Sequence, residues 1–447
     1  MQDMEIARRL AEAVAAEGGR AYFVGGFVRD ARMGIQTKDI DIEVYGISPA
    51  RLRRTLARFG EVLEKGASFG VLSLRHTNLD IAMPRRESRT GARHTDFDVS
   101  VDPGLSTREA SRRRDFTVNA MLMDVLTGEV IDHWGGMDDL RSGVLRHVAP
   151  DTFPEDALRV FRAAQFSARF ELRVAPETIA LCRGMDVGAL SRERVFEETA
   201  KALCRAARPS TYFCVLEEMG HLEEFFPEIA AMRGVPQNPV YHPEGDVFRH
   251  TMLVLDEAAA LRERAVEPLF FMFAALCHDV GKVDATRVEE DGRITSHMHP
   301  KTGRPLAERQ LRRLTDNARL LRYVDDMVKN HMRPNAMAMC RSKKKKTRML
   351  FDRCVCPEDL ILLSRADASG KRGEPYDVEL EKFLLDRLED WREAAAQPMV
   401  TGDDLIAAGL TPDERFADML ARARELRFSG FSRENALRQV LAEYANR

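Results

Sequence analysis

The sequence predicts an α+β region at the N-terminus, a small mixed sheet with helices, followed by an all-α remainder. Three observations carry that expectation. Strand-like apolar runs and turn signals are confined to residues 1–147. From residue 148 apolar residues recur at helical spacing. Near residue 236 the texture changes again, to a helical segment carrying histidine and aspartate. The expected domains are therefore 1–147, 148–235, 236–372 and a helical tail, 373–447. A chain of 447 residues has room for them, at roughly 100–200 residues per domain.

Composition excludes several classes. Apolar content of 44% and charged content of 31% are those of a chain with a full core. The seven cysteines are scattered with no C-x-x-C pair, so neither a disulfide framework nor a zinc ribbon is expected. The first helix, with Ile6, Leu10 and Val14 on one face and Gly18 as its stop, is too charged for a signal peptide. No run of 18 apolar residues occurs, so no membrane partner and a cytoplasmic location are expected. A net charge of −3 means that any RNA is held by local basic patches. No motif bears on oligomeric state.

Residues 21–46, AYFVGGFVRDARMGIQTKDIDIEVYG, organise the head. An apolar run ends in Gly25–Gly26, a short helix closes at Gly34, and a second run carries Asp39 and Asp41. Strand alternation points Asp39 and Asp41 to one face. Two carboxylates about 5 Å apart repel by roughly 3 kcal/mol at an effective dielectric near 20, which a hard divalent cation such as Mg²⁺ would relieve. The glycines offer backbone N–H groups with no Cβ in the way of a triphosphate. Ser48–Pro49 starts a helix. VLSLR and LDIAMP alternate around His76–Thr77–Asn78 as a hairpin. Asp80 on its second strand is either a third carboxylate of the site or an edge-strand acid. The polar stretch 85–106 is expected to be an irregular, mobile loop.

The order strand, Gly-Gly, V-R-D, spacer, K-D-I-D resembles the nucleotidyltransferase superfamily, specifically the class II tRNA nucleotidyltransferases (CCA-adding enzymes) and bacterial poly(A) polymerases. RRDFTVNAM resembles that family's second motif, which assigns Arg114, Asp115 and Asn119 to the nucleotide's sugar and phosphates. Asp132, Gly136 and Asp139–Leu140 match the third, a structural motif. In FPEDALRVFRAAQFSARF, Asp156 and Arg159 are expected to share a helix face, with Arg162 nearby. The resemblance makes them the readers of the incoming base. A carboxylate accepts from the exocyclic amine of C or A, and an arginine donates to the ring acceptor. U and G would set a carbonyl against the acid, an unpaired arrangement a buried site rejects. SRERVFEET matches the fifth motif, a brace of the neck. Gly25, Gly26 and Arg29 complete the nucleotide-binding set, and Asp39 and Asp41 are the implied catalytic pair.

The second site is His250, His278–Asp279 and Asp367, with His299 and His331 between them and Lys282 following. Imidazole and carboxylate ligands suit a divalent, possible transition, metal. The pattern looks like the HD-domain phosphohydrolases, whose ligands hold one or two metals and activate water. The lysine run 343–346 is either a solvated loop or an RNA contact.

The resemblance thus implies a nucleotidyltransferase head, helical neck, HD domain and tail. The implied activity is untemplated addition of CMP, CMP and AMP from CTP and ATP to the 3′ end of tRNA. CC-only, A-only or poly(A) addition are the alternatives, together with an HD phosphohydrolase whose head only binds RNA.

Overall fold

The computed structural model describes residues 2–65, 71–89, 97–372 and 375–445. The chain divides into two compact units: Met1–Thr199 with Thr211–His221, and Ala200–Ser210 with Leu222–Arg447.

The first unit opens with helix α1 (Gln2–Ala16), strand β1 (Arg20–Val24) and helix α2 (Gly26–Arg32). Strand β2 (Ile40–Tyr45), helix α3 (Pro49–Leu56), β3 (Val62–Lys65), β4 (Val71–Leu74) and β5 (Leu79–Ala82) follow. Next come β6 (Arg85–Arg89), β7 (Phe97–Val101), helix α4 (Thr107–Arg112), β8 (Leu122–Asp124) and β9 (Val130–Ile131). One seven-stranded sheet runs β3-β4-β5-β2-β1-β8-β9. Its single parallel pairing among these strands is β2 with β5, so the sheet is mixed, as the sequence predicts. Ile40, Ile42 and Val44 point from β2 into a core shared with Leu10 and Val14 of α1 and Leu52 and Leu56 of α3. The period of two therefore sends Asp41, Glu43 and Tyr45 to the other face. There Tyr45 packs with Tyr22, Val24 and Ala110 of α4.

Two local expectations change. Asp39 lies just before β2 rather than within it. The expected irregular stretch 85–106 holds an antiparallel ladder, β6 with β7, pairing Arg85 with Val101 and Arg86 with Ser100. Its Gly- and Arg-rich polarity hid an alternation that the backbone follows; residues 90–96 lie outside the described residues.

Beyond the sheet the first unit is mainly helical, with α5 (Gly136–Arg141), α6 (Arg159–Phe170), α7 (Pro176–Arg183) and the start of α8 (Arg192–Arg205), and one short parallel pair, Val144–Leu145 with Arg173–Val174. The second unit is all but wholly helical. Its centre is the helix Pro268–Cys277, apolar around its whole circumference and buried from Phe271 onward. The tail helices Gly402–Ala407, Arg415–Phe428 and Arg433–Ala445 enclose a small core of Leu405, Met419, Leu426 and Val440. The lysine run is not a loop. Lys344 begins the helix Lys344–Arg353, and Lys344 and Arg348 pair with Asp390.

Candidate functional sites

The polar face of the sheet opens into a cavity of about 480 Å³ in the first unit. Asp41, Glu43 and Asp80 line its sheet side; Arg85, Arg113, Arg114 and Arg159 line it as cations. Asp41 and Asp80 are register partners across the parallel pair β2–β5. Neighbouring strands lie about 4.8 Å apart, so the two carboxylates stand side by side. Since β5 is flanked by β4 and β2, Asp80 is no edge-strand residue. Glu43, absent from the sequence-based set, shares the parity of Asp41; alternation alone would have found it. Its carboxylate accepts from Tyr45 Oη at 2.5 Å and lies 3.9 Å from Arg114. Burial first, and then the neighbouring Glu43, pushes the Tyr45 hydroxyl far up, so it stays protonated and donates. Asp39 is exposed and not among the lining residues.

Gly25 closes the rim. It caps α2 at φ 65°, and a Cβ there would sit 3.1 Å from Arg114 Nη1 and 3.9 Å from Asp41 Oδ2. Only glycine meets both the backbone and the space requirement.

Behind the cavity runs a buried polar chain. Arg29, 3% exposed, donates to Asp30 at 2.6 and 2.9 Å and to Asn119 at 2.5 Å. Its guanidinium also lies 4.1 Å from the Phe170 ring centroid, tying α2 to α6. Asn119 donates to Asp115 at 3.0 Å, and Arg162 grips Asp115 at 2.5 and 2.9 Å. Burial alone would push the Asp115 carboxyl up; Arg162 and Asn119 outweigh it and hold it below the usual carboxylate range. The structure thus unites Arg29, Asp115, Asn119 and Arg162 in one network.

The Asp156–Arg159 expectation needs correction. Asp156 lies in extended conformation before α6, because Pro154 shapes a 3₁₀ turn that ends there. The two side chains therefore do not stack on one helix face. Arg159 donates to the carbonyls of Thr152, Phe153 and Arg113. Asp156 is instead held at 3.1 Å on both oxygens by Arg194 of α8, within the SRER segment. Sequence reading saw that segment only as a brace.

The second site is a histidine–aspartate cluster in the second unit. The helix Val247–Leu261 supplies His250, and His278 and Asp279 follow the apolar helix Pro268–Cys277. The helix His299–Arg312 begins with His299, His331 follows Ala318–Asn330, and Pro357–Ser369 supplies Asp367. All four sequence-predicted ligands meet here. His250 Nε2 lies 3.2 Å from Asp367 Oδ1 and 3.6 Å from Asp279 Oδ2; His278 Nε2 lies 3.4 Å from Asp279 Oδ2. On the other side of Asp279, its Oδ1 lies 3.2 Å from His299 Nε2 and 3.5 Å from His331 Nε2. His250, His278 and Asp279 form one ligand group, and Asp279, His299 and His331 a second. Asp279 belongs to both.

Gly281 explains the closeness of the two halves. A Cβ there would fall 2.1 Å from the His299 carbonyl and 2.5 Å from the Gly303 nitrogen. The glycine lets the His299–Arg312 helix pack against the H-D-x-G-K turn. Three imidazoles are fixed from behind, Nδ1 of His278, His299 and His331 reaching the carbonyls of Ala275, Ser296 and Val328 at 2.8–2.9 Å. A carbonyl only accepts, so each Nδ1 carries a proton, and Nε2 is the ring atom turned toward Asp279. His278 Nε2 and Asp279 Oδ1 are buried without a hydrogen-bond partner. Such orphaned donor atoms, in an imidazole–carboxylate set, fit a divalent metal. Burial pushes Asp279 up, but Lys282 at 2.6 Å and His278 hold it well below the usual range, so it is anionic.

Residues 21–146 match the Poly A polymerase head domain and residues 247–369 the HD domain. The Multifunctional CCA protein of Burkholderia pseudomallei (strain K96243) is 34% identical over 422 residues, covering 91% of this chain and 97% of the relative. The chain belongs to the CCA protein family. Among solved structures of that family, the Thermotoga maritima CCA-adding enzyme complexed with tRNA_CCA superposes with a TM-score of 0.64 at 21% identity, covering 98% of this chain and 95% of that one. The complex of CCA-adding enzyme with ATP gives 0.67 at 21%, with the same coverage. At that identity the superpositions establish the fold, and the family's fold is this one. Among the described residues no helix is long and apolar enough to cross a membrane.

Proposed function

We propose that this family member adds C, C and A to the 3′ end of tRNA from CTP and ATP, without a nucleic-acid template. The register pair Asp41–Asp80, facing four arginines in one cavity, carries the reading. Cationic side chains suit the triphosphate, and clustered carboxylates suit a hard divalent cation. Asp39 and Asp41 are the pair the motif assigns to Mg²⁺; in the cavity Asp41, with Asp80 beside it, would hold the ion, and Asp39 lies just before the strand. When bound, the ion neutralises charge on the α-phosphate and on the attacking and leaving oxygens. The tRNA 3′-hydroxyl gives up its proton to solvent as its oxygen attacks the α-phosphorus, the bond from that phosphorus to the α–β bridging oxygen breaks, and pyrophosphate leaves.

Gly25–Gly26 let the triphosphate approach the backbone, and Arg114 receives it. The network of Arg29, Asp115, Asn119 and Arg162 holds the nucleotide's sugar side rigid. Asp156 and Arg159 read the base edge, Asp156 being oriented by Arg194. A B. pseudomallei relative named for multifunctional CCA chemistry and a homologous fold solved with tRNA support the same reading. The work of such an enzyme on tRNA places it in the cytoplasm.

The second unit is a metal-dependent phosphohydrolase acting on cyclic or terminal phosphates. His250, His278, Asp279 and Asp367 hold one divalent metal, and Asp279, His299 and His331 offer a second position. When bound, such metals lower the pKa of water toward neutrality. Lys282 fixes the shared carboxylate.

The test is a tRNA transcript lacking its 3′ CCA, incubated with Mg²⁺ and labelled CTP, ATP or both. Three added nucleotides with both substrates are expected. A long ladder with ATP alone, or arrest after two, would replace the assignment by poly(A) or CC addition. No extension would leave the second unit as the main activity.

A further inference from the structure

Three of the cluster histidines take their Nδ1 partner from a backbone carbonyl; His250 does not. Its Nδ1 lies 2.8 Å from Oε1 of Glu244, and Nδ1 of His242 lies 2.8 Å from the same oxygen. Glu244 is 2% exposed, and its other oxygen accepts from the Arg372 backbone N–H at 3.3 Å. The two imidazoles meet edge to face with centroids 4.7 Å apart. His242, Glu244 and His250 could be taken for a third metal group. The ring of His250 argues otherwise, because its Nε2 faces Asp367 and Asp279. A metal at Glu244 would make that ring bridge two metals through both nitrogens.

Tautomer choice explains the arrangement better. Asp367 and Asp279 lie 3.2 and 3.6 Å from His250 Nε2, so carboxylates stand at both ring nitrogens. A proton held on Nε2 would leave it no lone pair for a metal. A carboxylate is acceptor-only and charged, a stronger partner than the carbonyl that suffices for the other three rings. We propose that Glu244 is the positioning residue of the HD cluster. Its one oxygen locks His250 as the Nδ1–H tautomer, keeps Nε2 free as a metal ligand, and clamps His242 against the ring. The inference rests on the reading of the cluster as a metal site. Outer partners of this kind are worth about 10–100-fold in metal affinity.

The experiment is Mn²⁺ titration of the full chain by calorimetry, together with ¹⁵N-histidine spectra of the Zn²⁺-loaded protein. Wild type, Glu244→Ala, Glu244→Gln and His242→Gln are compared, with circular dichroism as the folding control. Glu244→Ala is expected to weaken Mn²⁺ binding about 10–100-fold without loss of stoichiometry. Glu244→Gln, which keeps the shape and an acceptor oxygen but no charge, falls between it and wild type. If Glu244→Ala does not fold, this variant carries the test. His242→Gln keeps affinity within about twofold, since that ring is not a ligand. Spectra show His250 as Nδ1–H in wild type and as a tautomer mixture in the Glu244 variants. Unchanged affinity in both Glu244 variants overturns the proposal. So does loss of one metal equivalent, which would make Glu244 a ligand, or Nε2–H at His250 in wild type. Wild type that takes up no Mn²⁺ overturns the metal reading itself.

Discussion

On the proposed reading the two sites hold divalent charge in opposite ways. In the head, Asp41 is exposed and Asp80 half-buried, and arginines line the same cavity. In the cluster, His250 and His278 are fully buried, Asp279 is 2% exposed, and the ligands are mainly imidazoles pinned from behind. An open carboxylate pair among cations suits an ion that arrives and departs with a triphosphate. A closed imidazole set suits an ion that stays. Burial and ligand type thus distinguish a substrate-borne metal from a resident one.

That contrast can be broken at several points. Asp41→Ala is expected to lower CMP and AMP incorporation by on the order of 10²–10³-fold, with the metal content of the HD cluster untouched. Near-normal turnover would end the metal assignment in the head. Asp279→Ala should strip both cluster positions, whereas His299→Ala should cost only one, as counted by elemental analysis after dialysis. Equal losses from the two variants would mean that Asp279 does not serve both halves.

Smaller effects probe base reading. Arg159→Ala is expected to relax discrimination against UTP and GTP by roughly 10–100-fold, the worth of one bidentate contact. Arg194→Ala should do the same more weakly, because it acts through Asp156. Competition assays with mixed triphosphates measure both, and unchanged selectivity in Arg159→Ala would remove it from the reading role. Last, Gly25→Ala places a Cβ 3.1 Å from Arg114 Nη1 at a positive φ. It should cost about 1 kcal/mol, or roughly 2–4 °C in a unit of this size, and lower turnover alongside. A variant as stable and as fast as wild type would show that the rim is slack.

Much of this was legible in residue order. The Gly-Gly turn, the hairpin 71–82 and the four HD ligands lie where local pattern predicts, since each depends on alternation, turn chemistry or motif spacing. What escaped depends on pairing, near or far in sequence, that no periodic pattern encodes. Asp156 meets Arg194, 38 residues on, and Glu244 meets His250 from a loop with no periodic pattern. The ladder of Arg85–Arg89 with Phe97–Val101 was hidden because the run RRESR carries no apolar alternation. Arg29 read as a ligand-facing cation and is instead buried among Asp30, Asn119 and Phe170. Local sequence cannot distinguish an arginine that waits for phosphate from one already satisfied by the fold.

Asp80 reaches Asp41 through two ladders at once. It pairs with Ser73 across the hairpin and with Asp41 across the parallel neighbour. The hairpin turn, with His76 at φ 63°, sets that phase. Because side chains alternate with a period of two, a slip of one residue in β5 would carry Asp80 through the sheet to its apolar side. The length of a four-residue surface turn is thereby a chemical parameter of the site. Insertions or deletions there, usually the most forgiving changes a protein can accept, become in this family member changes to the electrostatics of nucleotide transfer.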